Sequence, residues 1–124
     1  MTIERELRIT DAPTARHFDL LVVALGYEER SAHVAKTYGG QASRRVALAF
    51  RFNQTLSYGA NALALDRLGF EIHPIEDEAG AQVMAFIEQL GETEHSVGID
   101  VSSFTRLQLA QIVEAIAECP RPLL

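Results

Sequence analysis

The sequence has a single cysteine and no tryptophan. Cys119 alone cannot close a disulfide within the chain, and no second cysteine or nearby histidine completes a metal-ligand spacing around it. A reduced, intracellular setting is the expectation. Positive charge is also scarce: 11 Lys and Arg against 17 Asp and Glu give a net charge of −6, with a pI near 5.1. That balance excludes a general nucleic-acid-coating surface, while a local basic pocket for one small anion stays open. No apolar run approaches the ~20 residues needed to cross a bilayer, so no membrane partner is expected. The N-terminus, Met1-Thr-Ile-Glu-Arg-Glu6, carries mixed charge where a signal peptide would be apolar, which points to the cytoplasm. Internal repeats and low-complexity tracts are missing as well. The four histidines, His17, His33, His73 and His95, show no ligand spacing, and no HExxH is present. Gly-x-Gly-x-x-Gly, P-loop and Gly-x-Ser-x-Gly motifs are absent, so neither a metal nor a dinucleotide cofactor is expected.

What the chain does have is apolar sequence in the right rhythm. Hydrophobic residues make up 48% and charged residues 23% of its 124 positions, enough to bury one core over 1–124. Residues 2–10 alternate, with Ile3, Leu7 and Ile9 on one face together with Arg5, and Glu4, Glu6 and Arg8 on the other. This is the pattern of a half-exposed edge strand, and Asp11-Ala-Pro-Thr14 turns after it. The stretch 18–25, Phe-Asp-Leu-Leu-Val-Val-Ala-Leu, is nearly continuous apolar sequence, the mark of a central parallel strand covered on both faces. Gly26 ends it, and a helix is expected over 28–38, stopped by a left-handed Gly39-Gly40. A second buried strand is expected over 45–50. A helix over 57–68 follows, ended by Gly69. A shorter strand over 70–75 holds Pro74 and so belongs at an edge. A helix over 79–90 faces inward through Val83, Phe86, Ile87 and Leu90, with Gly91 beyond its end. The last strand is expected over 95–101 and the last helix over 105–118.

Strict βα alternation implies an α/β fold, a Rossmann-like mostly parallel sheet with helices on both faces. Numbered from 18–25, the strand order 3-2-1-4 follows, because the first and fourth parallel strands are the most apolar and the third reads as an edge. The N-terminal strand adds an edge. In this order the loops 26–31 and 100–106 face each other across the crevice where the strand order reverses, the usual ligand position in such sheets. The chain ends at Pro120-Arg-Pro-Leu-Leu124, where another βα unit would often begin. The fourth strand then needs the N-terminal strand or a partner chain to cover it, so a homo-oligomer or a larger partner protein is expected.

The sharpest chemical signal is Val97-Gly-Ile-Asp-Val-Ser-Ser-Phe-Thr-Arg106. A β-branched strand ends in Asp100 and turns through Ser102 and Ser103 into a helix, with Leu107, Ala110, Val113 and Ile116/Ala117 behind it at three-to-four spacing. Asp100 can accept from a ribose hydroxyl or a base amine. Ser102 or Ser103 can cap the helix. Arg106, one turn in, can meet a phosphate as a planar fork. The same residues also suit an ordinary capped helix start with a solvated arginine.

Asp100-x-Ser102-x-x-x-Arg106 resembles the fourth-strand motif of CARF domains, the CRISPR-associated Rossmann-like ligand sensors, which read Asp-x-Ser/Thr-x-Gly-x-Lys/Arg. Asp100, Ser102 and Arg106 match by position, and the motif's glycine falls on Phe104. The βα order resembles that family along nearly the whole chain. The resemblance implies a nucleotide sensor for cyclic oligoadenylates, a dimer, and a place in prokaryotic antiviral defence.

Opposite this motif lies Gly26-Tyr-Glu-Glu-Arg-Ser31. Tyr27 can stack on a base, and Arg30 and Ser31 add a polar shelf. Glu28 and Glu29 suit the start of a helix, where each is worth roughly 0.3–1 kcal/mol through the dipole alone. Arg51 and Asn53 follow the second parallel strand, where they can serve a phosphate and a base edge or simply face solvent. The first expectation is therefore a sensing or regulatory module for a nucleotide or other small phosphorylated ligand. Two other functions fit the same residues. Glu28 or Glu29 with Asp100 could form a carboxylate pair that cleaves an N-glycosidic bond. Alternatively the chain is an interaction domain with no ligand.

Overall fold

The computed structural model describes residues 17–26, 32–51, 57–91, 96–100, 102 and 104–118. The first strand, β1, runs Phe18–Leu25 as expected. Its side chains alternate between the two sheet faces. Leu20, Val22 and Ala24 enter one core cluster, and Leu21, Val23 and Leu25 enter the other. Both clusters are roofed by helices, which is why the strand has no polar alternation to show.

β2 is Ala42–Ala49, β3 is Glu71–Pro74 and β4 is Val97–Ile99. All pair in parallel in the order β3-β2-β1-β4, with Val22 level with Val46 on one side and with Ile99 on the other. The helices are α1 (His33–Tyr38), α2 (Tyr58–Arg67), α3 (Ala79–Glu88) and α4 (Arg106–Glu118). Ala35 of α1 and Leu65 of α2 pack on one sheet face. Val83, Phe86 and Ile87 of α3 and Ile112 of α4 pack on the other. Each fully buried Leu, Ile or Val of these clusters contributes about 1.5–3 kcal/mol.

The α/β class and the 3-2-1-4 order are thus as the sequence implies. Several boundaries differ, for identifiable reasons. β2 begins three residues before the expected 45, because its two arginines find partners inside the fold. Arg45 donates to the carbonyls of Leu68 (2.7 Å) and Ala42 (3.3 Å), and Arg44 forks onto Glu71 of the neighbouring strand. The left-handed stop at Gly39-Gly40 is not formed: Gly39 has φ −57°, and the chain continues through a 3-10 turn over Gly39–Gln41. A β-carbon at Gly39 would stand 3.2 Å from the Phe70 ring, so the residue serves close approach there. The left-handed glycines are Gly69 and Gly91, with φ of +82° and +98°, which end the α2 and α3 segments.

α4 departs in orientation. Of the run picked out by spacing, Ile116 goes into the core beside Ile112, while Leu107, Ala110, Val113 and Ala117 face outward. The expected N-terminal edge strand at 2–10, the turn after it, Cys119 and the 120–124 tail lie outside the described residues. So do 28–31 of the first expected helix and positions 95 and 101 of the last strand. No helix among the described residues is long and apolar enough to cross a membrane.

Candidate functional site

In a parallel sheet every strand delivers its carboxyl end to the same side, and here the chain order reverses between β1 and β4. Asp100 leaves β4 at that edge. Its backbone N–H donates to the Val22 carbonyl at 2.9 Å, carrying the ladder one residue past the strand. The residue is 6% exposed. Oδ1 accepts from the Ser102 backbone N–H at 3.0 Å and from the Ser102 hydroxyl at 2.6 Å. This is an Asx-type turn, in which a short acidic side chain satisfies the backbone two residues on.

Ser102 is therefore held by Asp100 and does not cap α4. The cap is Thr105: its Oγ1 accepts from the Gln108 N–H at 3.2 Å, and Gln108 Oε1 accepts from the Thr105 N–H at 2.9 Å. This reciprocal pair is a capping box. Between turn and cap, Phe104 is 8% exposed and sits in the cluster with Ile112 and Phe86, so an aromatic ring fills the core at the position of the CARF motif's glycine. Arg106 stands at the first position of α4, exposed.

The facing wall starts at Gly26. Its carbonyl accepts from Asn61 Nδ2 at 3.0 Å, and Asn61, in the first half of α2, is 4% exposed. Ala32, where the described chain resumes, is fully buried. Tyr27, Glu28, Glu29, Arg30 and Ser31 lie outside the described residues, as do Asn53 and Ser103. Asn61 escaped the sequence reading. Its signal was a lone amide four residues before Leu65, on the inward stripe of α2.

Arg51 goes elsewhere. With Glu76, Asp77, Glu78, Ala81, Gln82 and Ala85 it lines an open depression of about 430 Å³ at the ends of β2 and β3. Gln82 braces its floor, donating to the Pro74 carbonyl and accepting from the Glu76 N–H, both at 2.8 Å. Asp100, Ser102 and Arg106 do not line it. Among the described residues no three His, Cys, Asp or Glu side chains converge as a metal site.

The structure thus brings Asp100 and Ser102 together, keeps Arg106 exposed one helix-cap away, and places Arg51 against an acidic rim. The arrangement can accept a hydrogen bond through a preoriented carboxylate and offer a hydroxyl and a guanidinium to solvent at the same sheet end. No protein-family model matches the chain and no curated protein matches it, so this geometry is the ground on which a function has to be argued.

Proposed function

We propose that the chain is a binding module for a nucleotide-type ligand, seated at the crevice between the ends of β1 and β4 and used for sensing or regulation. One observation carries the reading: a nearly buried carboxylate, Asp100, sits at the strand end where the sheet order reverses. Ser102 supplies the hydrogen bonds that a buried acid requires, and a carboxylate held in that orientation at the crevice suits a ribose hydroxyl or a base amine. Arg106 supplies a planar fork for phosphate in the first turn of α4. On this reading Ser102 and Ser103 would supply hydroxyls, and Tyr27, Glu28, Glu29, Arg30 and Ser31 would supply the second set of contacts. Arg51 lines a separate depression and is not part of this grouping. The CARF-like spacing of Asp100, Ser102 and Arg106 makes cyclic oligoadenylates the first ligands to try, with a role in prokaryotic defence as the matching context.

The test is thermal melting of the protein with AMP, ATP and cyclic tetra-adenylate, followed by chromatography of the recovered ligand. A nucleotide that raises Tm and returns intact supports the sensor. Arg106→Ala should weaken that binding by roughly 1.5–3 kcal/mol, the scale of a hydrogen bond to a charged group, and leave the ligand-free Tm unchanged. Asp100→Asn should weaken it too, with some loss of stability from the disturbed turn. No shift with any of these nucleotides, or a shift indifferent to Arg106→Ala, overturns the proposal. Release of free base would replace it with N-glycosidic cleavage.

A further inference from the structure

α4 has two apolar faces. Ile112 and Ile116 meet the core, whereas Arg106, Leu107, Ala110, Val113 and Glu114 are all exposed. Leu107 is 69% and Val113 38% exposed. At 3.6 residues per turn, these five fall within an arc of about 120° with Ala110 at its middle. Single exposed apolar residues need no explanation, but this set has an order. About Ala110 it reads as a palindrome in kind: Leu107 and Val113 lie three residues to either side, Arg106 and Glu114 four residues to either side, with opposite charges.

A two-fold interface must be complementary to itself. If two copies of α4 cross antiparallel with Ala110 on the axis, Arg106 and Leu107 of one copy come level with Glu114 and Val113 of the other, and the match occurs twice. The small residue falls where the helices approach most closely. Parallel pairing would set Arg106 beside Arg106 and Glu114 beside Glu114. We propose that this face of α4 is a homodimer interface, with a second copy of the chain packed antiparallel across Ala110. A single helix pair buries less than a standard stable interface, so the dimer is weak and concentration-dependent. The proposal shares Arg106 with the ligand reading, but it is tested on ligand-free protein, so the failure of one is distinguishable from the failure of the other.

The experiment is sedimentation velocity from micromolar to millimolar protein. The mass should rise toward twice that of the chain. Leu107→Asp should hold the protein monomeric throughout with an unchanged circular dichroism melt, because Leu107 touches solvent in the monomer. Glu114→Arg should raise the dimer dissociation constant several-fold, and adding Arg106→Glu to it should restore the wild-type value. An eight-residue separation rules out a repair within one helix, where neighbours lie three or four apart. Ala110→Cys, in a Cys119→Ser background, should oxidise to a disulfide-linked dimer, while Leu63→Cys on α2 should not. A monomer at every concentration, a dimer that survives Leu107→Asp, or a charge-swapped double variant no better than the singles overturns the proposal.

Discussion

Gly80 of α3 lies against the main chain of Gln111 in α4: a β-carbon at Gly80 would stand 2.8 Å from the Gln111 carbonyl carbon and 3.1 Å from Ala115 Cβ. The Gln111 side chain joins the same contact from the other direction. Its Oε1 accepts from the Ala79 N–H at 3.2 Å and its Nε2 donates to the Asp77 carbonyl at 3.4 Å, so α4 caps the start of α3. This contact sets the rotation of α4 and thereby decides that Ile112 faces the core.

Gly80→Ala should destabilise the domain, although alanine is the better helix former. Overpacking against backbone costs roughly 1–3 kcal/mol, against a propensity gain of about 1 kcal/mol at most. Urea unfolding should show a lower midpoint with an unchanged slope. A variant as stable as wild type would mean the helices can part at no cost.

Phe104 is a core residue at the position where the CARF motif carries glycine. Phe104→Gly should therefore cost about 3–5 kcal/mol, the scale of emptying a buried aromatic site. Chemical denaturation would show it, and a neutral result would place the ring outside the core.

Asn61 holds the end of β1 through the Gly26 carbonyl. Asn61→Ala should cost roughly 1–3 kcal/mol by leaving a buried acceptor without that donor. Hydrogen exchange should also rise in the segment that follows Gly26. Loss of stability with no local change in exchange would make Asn61 a packing residue only.

Arg44 reaches across from β2 to β3. Its Nε and Nη2 donate to Glu71 at 2.8 and 3.1 Å, and its guanidinium lies 5.1 Å from the Phe86 ring centroid. The hydrogen bond from Arg44 holds the Glu71 carboxyl below its usual range, with burial opposing and His73 assisting. The same bond raises Arg44. A carboxyl depressed on folding stabilises the native state fully above its unfolded pKa and loses that contribution as pH falls through the folded value. The stability gap between wild type and Glu71→Gln should thus be present at neutral pH and close in acid. Because the pair is partly solvated, the gap should stay under ~1 kcal/mol and shrink with salt. Arg44→Ala should cost more than Glu71→Gln, since it also removes the contact with Phe86. A gap that persists in acid would assign the effect to packing and not to charge.

The alternation of strand and helix, the central place of β1 and the strand order could be read directly from the chain. Burial on two faces leaves a local mark: eight residues from Phe18 to Leu25 with one charge among them have the length and the apolar continuity of a covered strand. Asp100 was legible for a similar reason, as the acid that ends a β-branched run. What folding in three dimensions decided involves partners far apart in sequence. Local patterning has no way to show that Asn61 serves Gly26, that Gln111 caps α3, or that Gln82 bridges Pro74 and Glu76. Thr105 displaced Ser102 as the cap because Asp100 takes the Ser102 hydroxyl and Gln108 completes the capping box. α4 shows the division most plainly. Its sequence carries two apolar stripes, and helical periodicity alone cannot choose between them. The close approach of Gly80 to Gln111 and the anchoring of Phe104 turn Ile112 inward, leaving Leu107, Ala110 and Val113 at the surface.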